Sequence, residues 1–60
     1  MWKGKFDDAM KALFIEYYDR FGCEPDTYEE IAYQNMTYDE FSGYIKECLE
    51  KGVEIDMVVD

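Results

Sequence analysis

Three pairs of adjacent acids, Asp7-Asp8, Glu29-Glu30 and Asp39-Glu40, are the side chains whose type could support general acid–base chemistry. That work needs two carboxyl groups facing each other in environments that separate their pKa values. Neighbours at i and i+1 on a helix point apart, so these pairs read better as solvated charges at helix starts. The chain contains no histidine. Proton transfer would therefore fall to carboxylates, Tyr, Cys or Lys without a recognisable activating neighbour. Cys23 and Cys48 are not in a Cys-x-x-Cys arrangement, and a zinc site would lack ligands. Cys23 follows a glycine with no base nearby, and Cys48 falls on an apolar stripe as an inert core residue. Neither an Asp-x-Asp-x-Asp-Gly calcium loop nor a phosphate-binding glycine loop occurs. The expectation is a non-enzymatic protein with no cofactor and no metal.

Charge points instead to a partner. Six basic residues against fifteen acidic ones leave a net charge of −9. Between Arg20 and Lys46 there is no basic residue, whereas Glu24, Asp26, Glu29, Glu30, Asp39 and Glu40 all lie there. Such a surface repels a phosphate backbone or an anionic membrane and suits a basic protein surface. Most of the basic residues have helical neighbours at ion-pair spacing: Asp7 with Lys11, Glu16 with Arg20, Lys46 with Glu50 and Glu47 with Lys51.

The elements that must position these charges follow from periodicity. Phe6, Ala9, Met10, Leu13, Phe14, Tyr17 and Phe21 track one face of a long helix over about residues 5–21. Gly22 stands where a left-handed cap is cheap, and Glu24-Pro25-Asp26 breaks the chain. Thr27-Tyr28-Glu29-Glu30-Ile31 then recurs, ten residues on, as Thr37-Tyr38-Asp39-Glu40-Phe41. In each copy a Thr or Asp stands three residues before a Glu, the spacing of a capping box. Two helix starts are predicted, for a short helix over about 27–34 and a medium one over about 38–51. Gly52 closes the latter, with Val53 behind it. Alternation of Val53, Ile55 and Met57 predicts an extended tail over 53–60. Such a tail could pack across the helices or add a strand to a partner's sheet.

The fold class expected is all-α: a small three-helix domain (long, short, medium) with an extended C-terminal tail, one domain over residues 1–60. With 48% hydrophobic and 18% aromatic residues the chain should fold. At this length it buries only ~60% of its unfolded surface, which leaves a thin margin. A helix-turn-helix DNA reader is disfavoured, because the presumed reading helix opens Tyr38-Asp39-Glu40 and carries no arginine. Ala12, Ile15 and Tyr18 lie off the first helix's main stripe, and Trp2, Tyr33 and Tyr38 are also unplaced. Surplus apolar surface of this kind asks for a second cover, from a partner or a second copy in a homodimer.

Across Glu24-Pro25-Asp26-Thr27-Tyr28-Glu29-Glu30, Met36-Thr37-Tyr38-Asp39-Glu40-Phe41 and Gly43-Tyr44-Ile45-Lys46-Glu47-Cys48-Leu49-Glu50, the chain resembles a family of short acidic proteins of unknown function. They are carried by bacterial conjugative transposons and phage-like elements. The resemblance covers residues 15–60, and implies a bacterial cytosolic setting and a mobile-element context. It implies no activity and no site residues. Where that family often has proline in the tail, this chain reads Glu54-Ile55-Asp56-Met57.

The functional expectation is a protein-interaction or accessory module. Its partner-facing set is Tyr28, Glu29, Glu30, Tyr33, Tyr38, Asp39 and Glu40, and its counterpart is a basic protein surface. The alternative is an acidic mimic of nucleic acid that inhibits a DNA- or RNA-binding protein. Nothing in the first residues has the apolar length of a signal peptide, and no stretch approaches the ~20 apolar residues of a membrane span, so a cytoplasmic location is expected.

Overall fold

A computed structural model describes residues 2–59. Helix α1 (Asp8–Phe21) and helix α2 (Tyr38–Lys51) pack against each other, and single 3-10 turns occur at Tyr33–Asn35 and Ile55–Met57. The described residues contain no strand. Among the described residues the fold is all-α, with two helices and two 3-10 turns rather than three helices.

Each boundary has a local cause. Helix α1 begins at Asp8, not near Lys5, because the Asp7 carboxylate accepts the Met10 N–H at 2.9 Å and so becomes the N-cap. Helix α2 opens as its spacing predicts. The Thr37 hydroxyl accepts the Glu40 N–H at 3.1 Å, and the Glu40 carboxylate accepts the Thr37 N–H at 2.9 Å, a complete capping box. Both helices end on a glycine in the left-handed region, Gly22 at φ 79° and Gly52 at φ 72°. Behind Gly52, the Val53 N–H also reaches back to the Cys48 carbonyl at 3.2 Å.

The predicted helix over 27–34 does not form. Neither cap candidate accepts an N–H from residues 28–30: the Thr27 hydroxyl donates back to the Glu24 carbonyl, and the Asp26 carboxylate accepts the Trp2 N–H. Burial alternates through buried Ile31, exposed Ala32 and buried Tyr33, which a helix cannot arrange. An inverse γ-turn at Ala32 (φ −86°, ψ 74°) makes that alternation, with the Tyr33 N–H donating to the Ile31 carbonyl at 3.1 Å. The Tyr33 hydroxyl folds back to accept the Tyr28 N–H at 3.1 Å. An eight-residue helix would have faced a costly nucleus with little packing to offset it, and burying two large side chains from a turn wins.

The tail also departs from expectation. Ile55 is buried and Met57 is 73% exposed, and the Val58 and Val59 N–H groups both return to the Ile55 carbonyl at 3.1 Å. A 3-10 turn thus replaces the extended run; its expected last residue, Asp60, lies outside the described residues.

All of these pieces meet on one core: Trp2, Met10, Phe14, Tyr17, Ile31, Tyr33, Phe41, Ile45, Cys48 and Ile55. Phe41 is its centre, with the rings of Trp2, Tyr33 and Phe14 at 4.7, 5.6 and 5.8 Å. The tilted and edge-on approaches suit the ring quadrupoles.

Candidate interaction surface

The segment between the helices is held open by a relay of hydroxyl groups. The buried Ile55 N–H donates to the Tyr17 hydroxyl at 3.0 Å, and the Tyr17 and Tyr28 hydroxyls lie 2.9 Å apart. Tyr28 in turn donates to the Glu54 carboxylate. A phenol has one proton, so Tyr28 spends it on Glu54 and must accept from Tyr17. The Cys23 thiol, 3.4 Å from the Tyr28 oxygen, is by the same logic the donor in that contact. Burial raises the Tyr28 hydroxyl well above the ordinary phenol value, with the neighbouring Cys23, Glu54 and Tyr17 acting in the same direction. Burial also raises Tyr17, against the opposing hydrogen bonds with Tyr28 and Ile55. Burial also pushes Tyr33 up to about 12 and the Cys48 thiol up to about 11.

This scaffold exposes acids. A concavity of about 380 Å³ is lined by the run from Asp26 to Ala32 together with Gln34, and the side chains of Glu29 and Glu30 are exposed there. A second, of about 390 Å³, is lined by Glu30, Ile31, Ala32, Met36, Asp56 and Val59. Glu30 belongs to both, and no lysine or arginine lines either. Among the described residues the ion pairs are Lys5–Asp7 at 4.0 Å and Lys51–Glu47 at 3.0 Å. Of the four helical pairs expected, Glu47 with Lys51 is therefore formed and the other three are not. Glu29, Glu30, Asp39 and Asp56 have no cation within 4.0 Å among the described residues.

The seven expected partner-facing residues divide on this geometry. Glu29, Glu30 and Asp39 are exposed and unpaired. Glu40 is exposed, but its carboxylate is occupied by the cap. Tyr33 is in the core against Phe41 and offers nothing to a partner. Tyr28 is half-buried with its hydroxyl in the relay. Tyr38 is half-buried and donates to Asp7 at 2.7 Å, which joins the starts of the two helices. Asp7 in turn is held below its ordinary carboxylate value, first by the Met10 N–H and then by Tyr38. Asp39 and Glu40, at the start of α2, line neither of these concavities. Asp26 and Asp56 join the acidic surface without having been singled out. Asp26 lies in the stretch devoid of basic residues, but nothing in the spacing of Asp56 signals that the tail returns to Glu30.

Among the described residues, no group of three His, Cys, Asp or Glu side chains converges as a metal site, and no helix is long and apolar enough to cross a membrane. No family model, curated protein or solved structure matches the chain.

Proposed function

We propose that the protein is a non-enzymatic interaction module that presents acids around residues 26–32, with Asp39 and Asp56, to a basic protein surface. The observation that supports this most directly is the pair of concavities that share Glu30 and have acidic but no basic side chains along their walls. Uncompensated carboxylates on a fixed backbone raise the local concentration of a cationic partner and steer its approach. Residues 26–33 are tied to α1, to the N-terminal segment and to the tail through Tyr17, Trp2 and Glu54. A surface fixed in this way loses little freedom on binding.

The resemblance of residues 15–60 to short acidic proteins of mobile elements belongs to the same proposal. It supplies a setting, the bacterial cytoplasm, and an accessory role. The nucleic-acid mimic is the alternative within it, and the same carboxylates would serve.

The test is affinity capture from a bacterial host at low salt. The unaltered chain is compared with Glu29→Gln/Glu30→Gln/Asp39→Asn, and retention of fold is checked by circular dichroism. Capture of a basic protein that is lost with the triple change is the expected result. An unchanged set of captured proteins contradicts the proposal. Release of the captured protein by added duplex DNA or by RNA would select the mimic reading.

A further inference from the structure

A different face of the molecule carries unpartnered apolar area. On α1, Ile15 and Tyr18 are 60% and 59% exposed, and Phe6, just before the helix, is 53% exposed. With Phe14 they form an open concavity of about 410 Å³, bordered by Lys11, Asp19 and Glu24. This wall is distinct from the acidic concavities, with which it shares no residue. Other aromatic residues left unplaced by periodicity have found cover: Trp2 and Tyr33 are in the core and Tyr38 is bonded to Asp7. Ile15 and Tyr18 have not.

We infer that this face of α1 is covered by the same face of a second copy, with the two α1 helices antiparallel and crossing at Ile15. The argument is one of charge and register. Lys11 and Asp19 stand four residues to either side of Ile15, which places each about 6 Å along the axis from it. In an antiparallel pair centred on Ile15, Lys11 of one copy is therefore level with Asp19 of the other, and the reverse holds by symmetry. Neither residue has an opposite charge within 4.0 Å in the single chain, among the described residues. Lys11, Ile15 and Tyr18 fall at i, i+4 and i+7, a single face, and exposed Ala12 is level with the partner copy's Tyr18. A small residue is thus set opposite a large one. A patch whose own charges are complementary under a two-fold rotation is the requirement of an isologous interface. The large net negative charge opposes association, so the pairing depends on this local match.

Charge reversal at the two positions tests both the face and the register. Sedimentation equilibrium of the unaltered chain over a micromolar-to-millimolar range is expected to show a monomer–dimer equilibrium. Ile15→Asp, at an exposed position, is expected to leave the circular dichroism spectrum intact and abolish the dimer. Lys11→Asp alone and Asp19→Lys alone are each expected to weaken association at least roughly tenfold, through two like-charge contacts per dimer. Mixed in equal amounts, these two variants are expected to recover it, because the heterodimer has an Asp–Lys pair at both positions. Asp19→Lys lowers the net charge, so a general charge effect would strengthen the dimer where the register predicts weakening. A monomer at every concentration overturns the proposal, including where Ile15→Asp instead loses a captured protein of another kind. So does a dimer indifferent to Ile15→Asp. Failure of the mixed variants to associate overturns the antiparallel register.

Discussion

At the scale of single residues, Asp7 and Thr37 have the same task at the two helix starts, and differ in how charge enters. Thr37 is a neutral cap. Thr37→Ala should lower stability by about 1 kcal/mol, read by chemical denaturation, with the fold retained. Asp7 is an ionised cap that also accepts the Tyr38 hydroxyl, and its pKa is depressed. A carboxyl group with a depressed folded-state pKa stabilises the fold above its unfolded value, and the contribution is lost as pH falls through the folded value. Asp7→Asn keeps the cap geometry and removes the charge. It should therefore destabilise the protein at neutral pH, and the difference from the unaltered chain should close as pH falls below about 4. Tyr17, inside α1, is not a cap but also satisfies a backbone N–H, that of Ile55 in the tail. Tyr17→Phe leaves the buried Ile55 N–H without its acceptor and removes one donor to the Tyr28 hydroxyl, which keeps Glu54. An unsatisfied buried group costs about 1–3 kcal/mol, and hydrogen exchange at the Ile55 amide should quicken accordingly.

At the scale of elements, α2 was legible from start to stop and α1 in its stripe and stop, because those signals lie within their own residues. The Asp7 cap that starts α1 at Asp8 was not read as one. Thr37 and Glu40 supply both halves of a capping box, and Gly22 and Gly52 close the helices they follow. The segment over 27–34 carries the same local letters, and fails because distant groups compete for them. Asp26 is taken by Trp2 from the start of the chain, and the Tyr28 hydroxyl is engaged by Tyr17 on α1 and Glu54 in the tail. Contacts of such long sequence separation are invisible to periodicity. The tail fails as an extended strand for the same reason, since the Tyr17 hydroxyl captures Ile55. For the candidate site, the acidic character of the middle segment was legible in the gap between Arg20 and Lys46. Which aromatic residues were free was not, because Tyr33 differs from Tyr18 only in what the fold brings over it.

At the scale of the whole molecule, the folded chain has an accessible surface of 4134 Å², about that expected for a compact monomer of its mass. The Cα radius of gyration, 10.2 Å, agrees with the roughly 10 Å expected of a folded chain this long. One small core supports everything, with Phe41 at the point where the N-terminal segment, α1 and the middle segment meet. Phe41→Ala should cost about 3–5 kcal/mol, comparable to the whole stability of so short a domain. Loss of cooperative thermal unfolding is the expected result, and a sharp transition near that of the unaltered chain would contradict it. The acidic surface asks for no such rearrangement: its carboxylates project from a backbone already fixed by the relay. The most direct test of that surface is the salt dependence of affinity for the captured basic protein, measured with the unaltered chain and with Glu29→Gln/Glu30→Gln. Affinity should fall steeply with salt for the unaltered chain, and be weaker and flatter for the variant. Equal affinities with equal salt slopes would contradict the assignment of this surface to binding.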